Sequence, residues 1–155
     1  MNQVSNLEDF CYYQSVDHEK ANMLSLRQAI EASWGVDTAY LEAYEEGNPA
    51  LGNCYPTSRV VQYYYPKTEI VEGEIQTPKG TEKHFWNLLT VDDIDYHIDL
   101  SWQQFPVGSY VKSYKIRDRN ELNDGEDAIR RVNLLLSRVK KFLASFNHKS
   151  SKLVH

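Results

Sequence analysis

Three residues of this 155-residue chain have types and an order that could do covalent chemistry: Cys54, His84 and Asp99. A cysteine thiolate can attack a carbonyl carbon, an imidazole can take and return the proton, and a carboxylate can hold the imidazole tautomer and stabilise its charged form. Such a trio supports hydrolysis of an amide or thioester, deamidation or acyl transfer. Chain order alone does not bring the three groups together; the elements that carry them must do so.

Gly52-Asn53 marks a tight connection immediately before Cys54, and Asn48-Pro49 breaks any helix upstream, because the residue before proline is driven out of the α region. Thr57, Val60, Val61 and Tyr64 fall on one helical face, which predicts a helix that begins near Cys54 and ends before Pro66. Pro56 fits its first turn, where a missing N–H would have had no partner. A cysteine at that position sits at the positive end of the helix macrodipole, which stabilises the thiolate.

The histidine and the aspartate belong to strands. Glu69 to Gln76 alternates in the manner of a strand, and Thr77-Pro78-Lys79-Gly80 is turn chemistry. Further strands are predicted from about Lys83 to Leu89 and from about Ile94 to Leu100, with Thr90 to Asp93 as a four-residue hairpin loop. That loop sets Leu89 opposite Ile94, Phe85 opposite Ile98 and His84 opposite Asp99. One face then holds Phe85, Leu89, Ile94 and Ile98 and reads as a core face. The other presents His84 beside Asp99 and Trp86 beside His97. A slip of one residue would part both apolar pairs and separate the histidine from the aspartate. A cross-strand polar pair on a solvated face is the plainer alternative.

Elsewhere, Leu26, Ala29, Ile30, Ser33 and Trp34 recur at helical spacing from Met23 to Trp34, with Gly35 as a stop signal. Asp37 to Gly47 reads as a short helix or a structured loop. Leu100 to Pro106 is a polar-aromatic turn, Tyr110 to Arg117 a further strand, and Asp118 to Gly125 a loop in which Asp124 is placed to cap the last helix. Ala128, Ile129, Val132, Leu135, Leu136, Val139, Phe142 and Leu143 mark that helix as long and amphipathic, from about Glu126 to Phe146. The expected organisation is an N-terminal arm (1–20), one α+β domain (21–146) and a polar tail (147–155).

Composition narrows the function classes. Hydrophobic residues make up 41% and charged residues 25%, a globular rather than a disordered balance. No apolar run approaches the roughly 18 residues needed to span a bilayer, and Met1 to Lys20 lacks a signal-peptide pattern, so a cytoplasmic protein without membrane association is expected. A formal net charge of −5 argues against a nucleic-acid binder. The basic patch from Arg130-Arg131 to Arg138-Lys140-Lys141 has the spacing of a solvated helix side. Two cysteines, Cys11 and Cys54, make no disulfide framework and no zinc spacing. No metal or organic cofactor is implied, and a metal site built from His84, His97 and Asp99 is the weakest of the alternatives. The 11 tyrosines and 3 tryptophans suit packing or a substrate cleft, with Trp86 and Trp102 as candidate cleft walls.

Several of these segments carry a resemblance. Asn48-Pro49-Ala50-Leu51-Gly52-Asn53-Cys54, His84-x-Trp86-Asn87, Asp99-Leu100-Ser101-x-x-Gln104-Phe105 and the helix from Ala29 to Tyr40 resemble the YunG-like family of small bacterial proteins, over roughly residues 24 to 145. More broadly, a helix that starts at a cysteine, followed by a histidine strand and an aspartate strand, is similar to the transglutaminase-like and papain-like core. That resemblance implies Cys54 as nucleophile, His84 as base and Asp99 as the group that orients it, with the amide of Asn48 beside the Cys54 backbone N–H as oxyanion donors. It implies a peptide or small-molecule amide or thioester as substrate. A protein-binding module that keeps the fold without the chemistry is the competing expectation.

Overall fold

The computed structural model of the protein describes residues 22–40, 45 and 47–153, with side chains to residue 145. The expected arm, Cys11 and residues 41–44 and 46 of the segment after Asp37 lie outside the described residues. Helix α1 (Met23–Ser33) starts at a capping box in which Asn22 and Ser25 exchange side-chain and backbone hydrogen bonds. It buries Met23, Leu26, Ala29, Ile30 and Ser33. Helix α2 (Cys54–Tyr64) follows, then strands β1 (Glu69–Thr77), β2 (Gly80–Val91), β3 (Ile94–Ile98) and β4 (Tyr110–Arg117), and finally helix α3 (Glu126–Leu153). The four strands form one antiparallel sheet in the order β3-β2-β1-β4. The architecture is therefore α+β. No described helix is long and apolar enough to cross a membrane.

Each face of the sheet has its own apolar cluster. On one face Leu89 and Ile98 join Val60, Val61 and Tyr64 of α2, the buried stripe of α1, and Leu135, Val139 and Leu143 of α3. On the other, Val71, Ile75, Trp86 and Leu88 lie under Phe105, with Trp102 packed against them. The period of two along β2 sends Asn87 and Leu89 to the helix side and His84, Trp86 and Leu88 to the other. Asn87 is buried on the helix side, and its amide donates to the Ser58 carbonyl at 2.9 Å, which fastens α2 to the sheet through a satisfied polar contact.

Three expectations are corrected. The β2–β3 loop is two residues, not four: Asp92 and Asp93 both take positive φ (52° and 64°), and Val91 pairs with Ile94. Such a two-residue turn matches the right-handed twist of the flanking strands, and aspartate tolerates the left-handed conformation it needs. The register therefore differs by two residues: Asn87, not Phe85, faces Ile98, and Leu88, not Trp86, faces His97. A shift of two leaves every side chain on its face. Second, α3 runs to Leu153 instead of stopping near Phe146, because no glycine or proline interrupts residues 147–153. Third, the solvated basic side of that helix is only partly so: Arg131 is 4% exposed, whereas Ile129, expected on the buried stripe, is 47% exposed. The buried positions recur every four residues from Arg131 through Leu135 and Val139 to Leu143, and tertiary packing, not residue polarity, chose that stripe.

Trp86 lies flat across Gly73, which faces His84 in the β1–β2 ladder, and a Cβ at position 73 would collide with the indole ring. Gly73→Ala should therefore cost about 1–3 kcal/mol by overpacking, read as a lowered denaturation midpoint with an unchanged slope.

Candidate active site

Cys54 is the first residue of α2 and is half-buried with a free thiol. Its position is set from behind by Asn53, which is completely buried. Asn53 makes no side-chain cap to the helix. Its amide donates instead to the Pro49 carbonyl at 2.9 Å, and its oxygen accepts from the Thr38 hydroxyl at 2.6 Å. The loop before the helix is thus tied to the segment after α1. With no side-chain cap and with Pro56 in the first turn, the Cys54 and Tyr55 N–H groups lack intrahelical partners and remain available at the positive end of the helix. Asn53→Ala would remove the hydrogen bonds of a buried amide to the Thr38 hydroxyl, which keeps its contacts to Gly35, and to the exposed Pro49 carbonyl, at about 0.5–1.5 kcal/mol for each bond. Thermal unfolding would register the loss.

His84 has no exposed surface. β3 stops pairing at Asn87–Ile98, so His84 and Trp86 have no strand neighbour on that side, and the chain after β3 fills the space. Asp99, the first residue past the strand, meets His84 diagonally: its Oδ2 is 2.7 Å from Nε2. Its other oxygen, Oδ1, accepts from the Ser101 backbone N–H at 3.1 Å, which fixes the carboxylate before the imidazole reaches it. The Phe105 ring stands edge-on to the imidazole at 4.7 Å between centroids, and Trp102 at 6.1 Å.

The opposite nitrogen, Nδ1, is buried and has no aligned hydrogen-bond partner. The Cys54 side chain is a second group that favours the charged ring. Burial alone would disfavour the imidazolium, but the hydrogen bond and charge of Asp99, with those of Cys54, push the His84 pKa up to about 9. The ring is thus held toward its charged form by the carboxylate on Nε2 and by the Cys54 side chain.

Cys54 is the member of the trio that lines a cleft, of about 640 Å³, together with Tyr40, Tyr55, Phe85, Gln104 and Arg131. Tyr55 stacks edge-on against Phe85 at 4.8 Å, and its hydroxyl donates to Asp124, which also takes a hydrogen bond from Arg59 Nε at 3.1 Å. Burial and Asp124 hold the Tyr55 phenol well above its usual range. Asp124 was expected to cap α3; its carboxylate is instead committed to α2.

The other expected site residues are placed differently. The Asn48 amide donates to the Gln104 carbonyl at 2.9 Å and holds the loop over the site; Asn48 does not line the cleft. Trp86 is 4% exposed and donates its indole N–H to His97 Nδ1 at 2.9 Å, so it supports the sheet under His84 and walls no part of the cleft. Trp102 packs behind the imidazole. With His97 occupied in this way, His84, His97 and Asp99 form no metal-binding group; among the described residues no cluster of three such side chains does. Sequence reasoning missed Gln104 and Arg131. Gln104 stands in the segment that carried the resemblance, whereas nothing in the sequence signalled Arg131.

Fold and site together define an α+β protein with a free cysteine at a helix start, on the wall of a cleft, backed by a buried histidine paired with a half-buried aspartate. The sequence profile described as YunG protein matches residues 22–144, and the chain belongs to that family. Comparison with curated proteins and with solved structures gives no match.

Proposed function

We propose that the protein is a cysteine-dependent hydrolase or acyl transferase acting on an amide or thioester through Cys54, His84 and Asp99, on a core of the papain-like or transglutaminase-like kind. The observation that carries this reading is the fully buried imidazole held by Asp99 at 2.7 Å behind a cysteine that opens on the cleft.

In the first step the Cys54 sulfur attacks the carbonyl carbon, the carbon–nitrogen or carbon–sulfur bond breaks, and the imidazolium gives its proton to the departing amine or thiol. The Cys54 N–H, with Tyr55 N–H beside it, stabilises the oxyanion. Water or an acceptor amine then attacks the thioester, His84 takes the proton, and the thiolate is released. Asp99 keeps Nδ1 turned to the sulfur and stabilises the charged ring throughout.

The test is the rate of Cys54 alkylation by iodoacetamide across pH 5–9, with Cys11 as internal control and His84→Ala beside the wild type. Fast reaction of Cys54 well below pH 8 that is lost in the variant supports the reading. If Cys54 reacts as an ordinary thiol in both proteins, the enzyme reading fails and a catalytically silent binding module remains.

A further inference from the structure

Among the described residues, Arg131 is the charge with the least explained surroundings. It occupies the N-terminal end of the buried stripe of α3, at a position where the next three buried residues, Leu135, Val139 and Leu143, are aliphatic. Its side chain is 4% exposed. Nε donates to Asp127 Oδ2 at 2.9 Å, and the guanidinium lies over the Tyr40 ring at 5.2 Å. Nη1 is buried and has no hydrogen-bond partner. Asp127 does not neutralise it alone, because the same carboxylate also holds Arg130 at 2.9 Å. A buried cationic donor left without an acceptor is costly unless something else supplies one.

Arg131 and Cys54 line the same cleft. The other charges there are spoken for or solvated: Arg117 is paired with Glu72 at 2.8 Å, Asp124 with Arg59, and Glu82 and Lys83 are exposed at the rim. One uncommitted guanidinium end fits a monoanion. A phosphate dianion would meet the Asp124 and Glu82 carboxylates without a second buried cation to balance it.

Resting on the reading of Cys54 as a nucleophile, we infer that Arg131 binds a carboxylate of the substrate, so that the protein acts on amides or thioesters that also carry a free carboxylate, such as an amino-acid conjugate or a peptide end. The planar fork donates to the carboxylate oxygens, and Tyr40, Tyr55 and Phe85 line the cleft beside it. Arg131 is a specificity residue and takes no part in proton transfer.

The test uses the full chain with Cys11→Ser, leaving Cys54 as its one thiol, and compares alkylation by iodoacetate and by iodoacetamide at pH 7. Arg131→Gln should lower the iodoacetate-to-iodoacetamide rate ratio by about tenfold or more, the loss of one charge-assisted contact, while the iodoacetamide rate stays within about twofold of wild type. Arg131→Lys should restore part of the ratio. N-Acetylglycine should protect Cys54 of the wild type from iodoacetamide, and its neutral methylamide should not. This comparison needs no variant to fold. An unchanged ratio in a folded Arg131→Gln protein, or equal protection by the acid and its methylamide, overturns the inference. A wild-type iodoacetamide rate no faster than that of a free thiol would count instead against the nucleophile, and the anion preference would still be readable.

Discussion

Replacing His84 with alanine should slow alkylation of Cys54 at pH 6 by about 10- to 100-fold and leave Cys11 unchanged. The reason lies in how a thiol is charged. An isolated thiol titrates near pH 8.5, so at pH 6 well under one per cent of it is thiolate. An imidazolium beside a sulfur favours thiolate over thiol by charge, and that is the gain the substitution removes. Lower intrinsic nucleophilicity of the stabilised thiolate returns part of the gain, which gives the range stated. His84 is wholly buried, so the alanine variant also leaves a cavity and an unpaired Asp99, at about 2–4 kcal/mol of stability. His84→Gln separates the two effects. It keeps a polar contact to Asp99 but offers no charge to the sulfur, so its alkylation rate should fall as far as that of the alanine variant while more of the stability is retained. A glutamine variant with the wild-type rate would sink the ion-pair account.

The second large effect belongs to Asp99→Asn. In the wild type the imidazole titrates at about 9, because Asp99 and Cys54 outweigh the burial that opposes its charge. With the carboxylate neutralised, burial is met mainly by the cysteine, and the pKa of His84 should fall by a unit or more. A reaction that needs the imidazolium as acid should then have its high-pH limb moved from near pH 9 to near neutrality, with about a tenfold loss of turnover at pH 8 from that shift. Stability moves in the same sense. The folded value of about 9 lies above the unfolded 6.5, so the pair contributes its full stabilisation below about pH 6.5 and loses it as pH rises through 9. The wild type should therefore unfold at lower denaturant at pH 9.5 than at pH 6.5, and Asp99→Asn should show a much smaller difference. The His84 ring proton resonance, followed by NMR from pH 5 to pH 10, gives the titration directly. A wild-type midpoint near 6.5 would refute the electrostatic picture of the site.

Much of what positions this site is local, and local patterns are legible in a sequence. Gly52-Asn53, Pro56 and the spacing of Thr57, Val60, Val61 and Tyr64 place a helix start at Cys54, where it is found. Alternation along β2 and β3 assigns His84 and Asp99 to one face, and they meet at 2.7 Å. The register was not legible for a simple reason. A pattern of period two is unchanged by a shift of two residues, so patterning alone does not choose between a four-residue loop and the two-residue Asp92-Asp93 turn. The turn geometry decides, and with it whether Asp99 opposes His84 directly or reaches it from beyond the end of the strand.

The sequence by itself determined the α+β class, the helix that begins at the cysteine, and the common face of the histidine and the aspartate, since each follows from residues close in the chain and from fixed backbone periods. Tertiary structure alone decided that His84 would be sealed under Phe105 and Trp102, that Trp86 would lie across Gly73 away from the cleft, and that a charged Arg131 would occupy a buried position beside it. Those outcomes depend on which distant segments cover a surface, and burial is what turns an ordinary histidine or arginine into a group whose charge must be answered by a partner.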